Sequence, residues 1–437
     1  MITILIILFV AGYLLITLEH TIKINKTATA LITGISCWTV YALSGAHTEM
    51  VSEQLGHHLI GIAEILFFLL GAMTVVELID AHDGFTLITD RIASRNTRVL
   101  LWVIGLLTFF LSALLDNLTS SIVMVSVVRK LVRDAEQRRV IAGMIIIAAN
   151  AGGAWSPIGD VTTTMLWIGG QVTTTNIMRE LLLPSLVALL VPLGILTMRY
   201  TSDTQVVKRT VTQGQPAIGV SRPFVTRAAR RERRTMLAIG LGGMVFVPIF
   251  KTLTHLPPYM GMMLVLGSIW VASELLHSDK DEAERQKFTA AYALSRIDAP
   301  SILFFLGILL AVGALDATGV LRSLAELLTQ SVGNLDVIVL LIGLVSAVVD
   351  NVPIVAAAMG MYDLQTYPAD AKLWEFLAYC AGTGGSLLLI GSAAGVAVMG
   401  MERLAFGWYL RNISWVALIG YAAGALVYLA EFALTGH

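Results

Sequence analysis

Two short motifs place carboxylates where an apolar chain has no ordinary use for them. Asp116-Asn117-Leu118-Thr119 and Asp350-Asn351-Val352-Pro353 stand near the middle of the apolar stretches 99–132 and 337–362. An acid in mid-hydrocarbon costs about 2.5–3.5 kcal/mol on insertion scales, and such residues mark ion and proton pathways. Two other apolar stretches, 139–170 and 373–400, are interrupted by glycine clusters. The first reads Asn150-Ala-Gly-Gly-Ala-Trp-Ser-Pro-Ile-Gly-Asp160-Val-Thr-Thr-Thr164; the second holds Thr383-Gly-Gly-Ser386 and then Ser392. Gly152 and Gly153 relax a helix, and Pro157 removes a donor and clashes with the preceding turn. The carbonyls freed there, with Asn150, Ser156, Asp160, Thr162, Thr163 and Thr164, form a group of oxygen ligands. Hard small cations prefer such shells. Broken helices expose both partially positive and partially negative ends, and Asp116, Asp160 and Asp350 tilt that balance toward a cation. Competition of one ion with one or more protons for shared carboxylates is enough to couple their flows.

These residues need elements to hold them, and composition says which kind. The chain has 437 residues, 56% of them hydrophobic and 14% charged, against roughly 25% charged in soluble domains. That composition predicts an all-α polytopic membrane protein. A net charge of −1 argues against a nucleic-acid partner. Cys37 and Cys380 are too few for a disulfide framework or a four-ligand metal site. Spans of about 20 apolar residues are expected near 2–18, 27–43, 57–79, 180–198, 236–252, 258–276, 300–318 and 412–434, with 139–170 and 373–400 as broken crossings. The total is ten. Ile2 to Leu18 lacks a basic n-region and a small-residue cleavage site, so an uncleaved span is expected.

The stretches with central Asp-Asn pairs read as re-entrant hairpins, because Asx residues and proline favour turns and such backbone survives at depth only when buried or lining water. With both hairpins returning to their side of entry and both termini outside, all 29 lysines and arginines except Arg179, Lys251, Arg322 and Lys372 face the cytoplasm. This obeys the positive-inside rule. Treating the hairpins as single crossings would turn the most basic loop outward. The expected organisation is N-terminal spans over 1–56, a first repeat over 57–199, a basic cytoplasmic linker over 200–235, and a second repeat over 236–434.

The halves resemble each other at their interruptions. Gly152-Gly153 and Ile158-Gly159 stand 232 residues before Gly384-Gly385 and Ile390-Gly391, and Ser112 and Ser346 each stand four residues before an Asp-Asn pair. In the assigned topology the first hairpin enters from the cytoplasm and the second from outside. The repeat is therefore inverted, an arrangement that sets transporter sites at the midplane. Glu64, Glu77, Asp298 and Asp316 fall nearer the interfaces, with Glu64 the best placed for a proton route. His57 and His58 could sense pH, but as exposed loop histidines they are expected to be inert.

At these motifs the chain resembles the NhaD-type sodium/proton antiporters of the ion-transporter superfamily, which also holds dicarboxylate, citrate and arsenite carriers. The resemblance rests on Leu-Leu-Asp116-Asn117-Leu-Thr-Ser-Ser, the 150–164 segment, Val-Val-Asp350-Asn351-Val-Pro, and Gly-Thr383-Gly-Gly-Ser386 with Ile-Gly-Ser392, and extends over almost the whole chain. It implies a homodimer in membrane lipid, with a scaffold and a transport core that work by elevator-type alternating access. Carried over, Ser112, Asp116, Asn117, Asn150, Asp160, Thr162 and Thr163 would form the ion and proton site of the first half. Ser346, Asp350, Asn351, Thr383, Ser386 and Ser392 would belong to the second. Sodium would sit at Asp116, Asn117, Asn150, Asp350 and Asn351. The implied activity is export of Na+ or Li+ driven by H+ entry in a bacterial inner membrane, with no cofactor. The alternative within the superfamily is a sodium-coupled carboxylate symporter or an arsenite efflux carrier. A symporter needs donors or an Arg for its anion, and neither hairpin tip nor glycine break has Arg or Lys. An enzyme is not indicated: there is no nucleophile elbow, zinc motif or sizeable soluble domain.

Overall fold

The computed structural model describes residues 2–44, 48–89, 92, 96–199, 227–279 and 281–435. The expected linker falls outside these residues as far as position 226. Among the described residues every regular element is helical. In chain order the principal ones are α1 (Ile2–Thr17), α2 (Lys26–Ala42), α3 (Thr48–Ala81), α4 (Thr97–Leu115), α5 (Asn117–Leu131), α6 (Ala135–Ala154), α7 (Val161–Ile168), α8 (Thr174–Arg199) and α9 (Arg227–Thr254). The second half supplies α10 (Pro258–Leu276), α11 (Ala299–Ala317), α12 (Val320–Val332), α13 (Leu335–Val345), α14 (Asn351–Met361), α15 (Lys372–Gly384), α16 (Ala393–Glu402) and α17 (Trp415–Thr435). Among the described residues, seven helices are long and apolar enough to cross a bilayer: α3, α4, α8, α9, α10, α11 and the stretch Phe406–Leu434 that includes α17. Helix α1, with 16 residues, is about 24 Å long at 1.5 Å per residue, short of the roughly 30 Å core.

Breaks occur at each of the four expected places. Asp116 separates α4 from α5, residues 155–160 separate α6 from α7, residues 346–350 separate α13 from α14, and residues 385–392 separate α15 from α16. The side chain that begins each new half-helix caps it. Asp116 accepts from the Thr119 N–H, Asp160 from Thr162, Asp350 from Val352 and Ser392 from Gly395. Capping of this kind satisfies one of the N–H groups a helix start leaves open.

Three features differ from the hydropathy pattern. Helix α3 begins at Thr48, so His57 and His58 lie on a helix and not in a loop. Helix α9 begins at Arg227, nine residues before the expected span, so the basic run is its first turns. Helix α12 was not expected. It buries Leu321 and Ala325 but exposes Leu324 and Leu327, too mixed a pattern for an apolar-run criterion. It meets α13 at 115°, a bend made by Gly333 at φ +75° and by Asn334, which caps α13.

The two halves share their main helix packing. Helix α4 packs on α6 as α13 packs on α15, and α6 packs on α8 as α15 packs on α17. The half-helices cross over: α5 lies against α16 of the other half, and α14 lies against α7. Glycines allow the closest approaches. A Cβ on Gly152 would lie 2.2 Å from the Phe109 carbonyl oxygen, and one on Gly384 would lie 2.1 Å from that of Gly343. Gly159 abuts Ser112 and Ala113, and Gly391 abuts Ser346 and Ala347. Helices α6 and α15 form the centre, with every residue buried from Val140 to Ala154 and from Leu373 to Gly384. Around this core stand α1, α2, α3, α9, α10 and α11, packed mainly on one another.

Because the nearest group facing Gly152 and Gly384 is in each case a backbone carbonyl, neither clash can be relieved by a side-chain rotation alone. Gly152→Ala and Gly384→Ala are each expected to cost about 1–3 kcal/mol, read as a lower melting temperature of the detergent-purified protein. Gly242→Ala, with nothing within 4 Å of its added Cβ, should melt like the parent. Equal melting of all three variants would contradict this packing.

Candidate functional site

The Asp-Asn breaks of both halves meet at one carboxylate on the first broken helix, and the second broken helix joins the cluster at Asn150. Asp160, 1% exposed, closes the break between α6 and α7. Its Oδ1 accepts from the Thr162 N–H and from the Thr162 hydroxyl, both at 2.9 Å. Its Oδ2 accepts from Asn117 Nδ2 at 2.6 Å and from Asn351 Nδ2 at 3.4 Å. Asn117 also donates to Asn150 Oδ1 at 3.1 Å, and Asn150 Nδ2 donates to Ser392 Oγ at 3.0 Å. Asn117, Asn150, Asn351 and Ser392 are themselves buried. All the hydrogen-bond donors to Asp160 among the described residues are neutral. Asp116 and Asp350 lie within electrostatic range of it.

The remaining expected site residues are placed differently. Asp116 is turned onto its own helix: Thr119 donates to it through its N–H at 2.7 Å and its hydroxyl at 2.9 Å. Its backbone has φ +98° and ψ 160°, a region otherwise confined almost to glycine and strained for other residues. Asp350 pairs with Lys26, Nζ to Oδ2 at 3.5 Å. Several hydroxyls are staples to backbone. Ser112 donates to the Ala149 carbonyl at 2.6 Å, and its counterpart Ser346 donates to Ala381 at 3.1 Å. Ser156 donates to the Ala113 carbonyl, Thr383 to Tyr379, and Ser386 to Thr383. Thr163 donates to the Asp160 carbonyl and Thr164 to that of Pro157. The structure therefore gathers Asn117, Asn150, Asp160, Asn351 and Ser392 into one cluster, with Thr162 on its cap. Ser112, Thr383, Ser346 and Ser386 hold the surrounding backbone.

One cavity reaches the cluster at Asn117, and a second lies beside α7 and α14. The first, of about 50 Å³ and lined by Asp116, Asn117, Ile158, Thr164, Phe68 and Phe305 among others, is large enough to admit water. The other, about 430 Å³ and more open, is lined by His57, His58, Glu64, Gln171 and Asp316 among others. There His58 Nε2 lies 3.9 Å from Asp316 Oδ2. Glu64 thus lines an open cavity, and His58 lines it from the same helix.

Lys26 escapes a sequence-only reading, which counts it as a topology charge and within the family resemblance but gives it no place at the site. Its signal is Pro353, which stands where the other tip has Thr119 and supplies neither the N–H nor the hydroxyl that satisfies Asp116.

Comparison with known proteins places this arrangement among carriers. A family profile described as citrate transporter matches residues 13–374. Sodium/proton antiporter 1 of Arabidopsis thaliana is 50% identical over 97% of this chain and 71% of its own length. Sodium/proton antiporter 2 of the same plant is 47% identical over 97% of this chain and 98% of its own length. The Na(+)/H(+) antiporter NhaD of Vibrio cholerae is 32% identical over 97% of this chain and 90% of its own length.

If Asp116 serves as a cap, geometry and charge separate on substitution. Asp116→Asn keeps an acceptor for the Thr119 N–H and should retain the parent's melting temperature, whereas Asp116→Ala should lose about 0.5–2 kcal/mol. Equal loss of stability in both would show that the capping bond is not what holds this tip.

Proposed function

The chain belongs to the NhaD-type sodium/proton antiporters of the ion-transporter superfamily, and from that premise we propose that it exchanges cytoplasmic Na+ or Li+ for external protons at Asp160. The observation that carries this is the convergence of both halves on one buried carboxylate with only neutral donors. A bare charge in such a place costs several kcal/mol, so the cluster is stable with one positive charge in it. A proton on Asp160 supplies that charge, and so does an alkali-metal ion beside it, but not both at once.

The asparagines make the exchange physically simple. Each carries a donor and an acceptor on one rotatable amide. Asn117 and Asn351 now turn Nδ2 toward Asp160. Rotation of either amide presents oxygen instead and converts a cage of donors into one of acceptors suited to a hard cation. Asn150, the Ser392 hydroxyl and the carbonyls freed at the glycine breaks complete the candidate shell, with Asp116 and Asp350 adding negative potential.

Movement between the two sides is proposed to carry the core as a body past the scaffold, in an elevator. What supports this is the grouping of contacts and a clamp at the base of the core. Arg129 at the end of α5 and Arg138 on α6 both reach Glu402 at the end of α16, at 3.4 and 3.0 Å, tying three core helices together. Ten crossings, both hairpins re-entrant, both termini outside, a homodimer and a bacterial inner membrane belong to the same proposal; the relatives that match come from plants as well as bacteria. The cavity at Glu64 and Asp316 is the proposed external approach.

The citrate-transporter profile favours a second reading, sodium-coupled carboxylate uptake. A carboxylate substrate needs a cationic or strong donor partner. The ammonium of Lys26, next to the second tip, is already held by Asp350.

Purified protein in vesicles with a pH-sensitive dye should move protons on addition of sodium or lithium. Asp160→Asn should abolish sodium-dependent proton movement, because an amide neither takes up a proton in this range nor carries the negative charge that holds a cation. Glu64→Gln should slow exchange only severalfold, because an approach residue is bypassed by water. Vesicles of folded parent protein in which neither ion moves protons would refute the proposal, and uptake of labelled dicarboxylate would favour the alternative.

A further inference from the structure

Asp116 and Asp350 occupy equivalent positions in the two halves, yet their carboxylates end differently. Asp116 has both oxygens satisfied by Thr119. Asp350 keeps only a 3.3 Å contact from the Val352 N–H on Oδ1, because Pro353 replaces the residue that would have held it. Its Oδ2 is left facing out of the core, toward the scaffold.

What meets it there is fixed in place. Lys26 begins α2, where Asn25 accepts from the Thr27 N–H at 2.8 Å and Glu19 accepts from the Lys26 N–H at 3.1 Å. The Thr27 hydroxyl donates to the Pro300 carbonyl at 2.9 Å. Further along, α2 meets α11 so closely that a Cβ on Gly34 would lie 2.3 Å from the Gly307 carbonyl oxygen. The Lys26 ammonium also lies 4.4 Å from the centre of the Phe304 ring on α11, a favourable position for a cation. Backbone caps, helix packing and an aromatic face thus aim one scaffold cation at the tip of the second hairpin. Asp350 in turn adjoins Asn351, which donates to Asp160.

We propose that Lys26 is a tethered counter-charge that opposes Asp350 and thereby sets how strongly the Asp160 cluster attracts sodium. It is a positioning residue, acting through Asp350 without touching the ion. While the pair is formed, the ammonium offsets part of the negative potential that Asp350 adds at the cluster. Removal of the ammonium leaves the cluster one unit more negative and draws a free cation in more tightly. The pair also joins scaffold to core, so exchange of Lys26 for another positive charge near Asp350 accompanies release of the tip. The inference rests on the reading of Asp160 as a cation site, and its test separates the two.

Sodium binding is measured by calorimetry on purified parent, Lys26→Met and Lys26→Arg. Loss of the ammonium should tighten the Kd by about tenfold, the scale of a unit charge felt through several ångströms of protein. The arginine variant should stay close to the parent. A gain of affinity is an outcome that damage to the fold does not produce. Lys26→Cys adds a direct control, since Cys37 and Cys380 are buried: it should bind tightly, return to parental affinity on reaction with aminoethyl methanethiosulfonate, and stay tight with the neutral methyl reagent. Unchanged or weaker binding in both the methionine and unmodified cysteine variants would overturn the assignment of Lys26 while leaving Asp160 untouched. Absence of sodium binding in the parent would overturn the cation site itself and this inference with it.

Discussion

One carboxylate, buried with neutral donors in the middle of an apolar protein, is the constraint to which the rest of the structure answers. Asp160 must be held by dipoles alone, and its hydrogen-bond donors come from three separate breaks in helical structure, with the fourth reaching the cluster at Asn150. Each break costs backbone hydrogen bonds that only buried partners can restore. The staples from Ser112, Ser346, Ser156 and Thr164, and the caps at Asp116, Asp350 and Ser392, supply that restoration. Core glycines then let backbone approach backbone closely enough for those bonds to form. Removing the carboxylate's need for partners would leave little reason for helices to stop halfway.

Duplication built the frame, and departures from duplication make the site. The cradle around Gly152 and Gly159 recurs around Gly384 and Gly391 almost atom for atom. Within it, Asn150 has Gly382 as its counterpart, Asp160 has Ser392, and Thr119 has Pro353. The first half therefore carries the charge, while the second contributes an amide, a hydroxyl and an aspartate turned outward to Lys26. This asymmetry favours a single centre shared by two halves over two equivalent sites. It also gives the start of α14 a charged tie to Lys26 on α2 that the capped carboxylate of Asp116 does not make.

Much of this was legible in the chain because the decisive signals are local. Asp-Asn pairs and glycine clusters inside apolar runs announce breaks by turn chemistry alone, and breaks are found at each of the four expected places. Which acid the others face was not legible, since Asp116, Asp160 and Asp350 look alike in sequence and only tertiary placement brings both tip asparagines onto Asp160. Lys26 was hidden for the same reason, being 324 positions from its partner. Helix α12 and the early starts of α3 and α9 escaped because polar and amphipathic turns continue a helix without adding to an apolar run.

The central claim, that a proton and an alkali-metal ion share one carboxylate, is tested most directly by counting protons released when sodium binds. Calorimetric titration of the folded protein with sodium, in buffers of different ionisation enthalpy at two pH values, yields that count. Competition at Asp160 predicts net proton release on binding, larger at the lower pH and absent from Asp160→Asn. Sodium binding that releases no proton at either pH would contradict it.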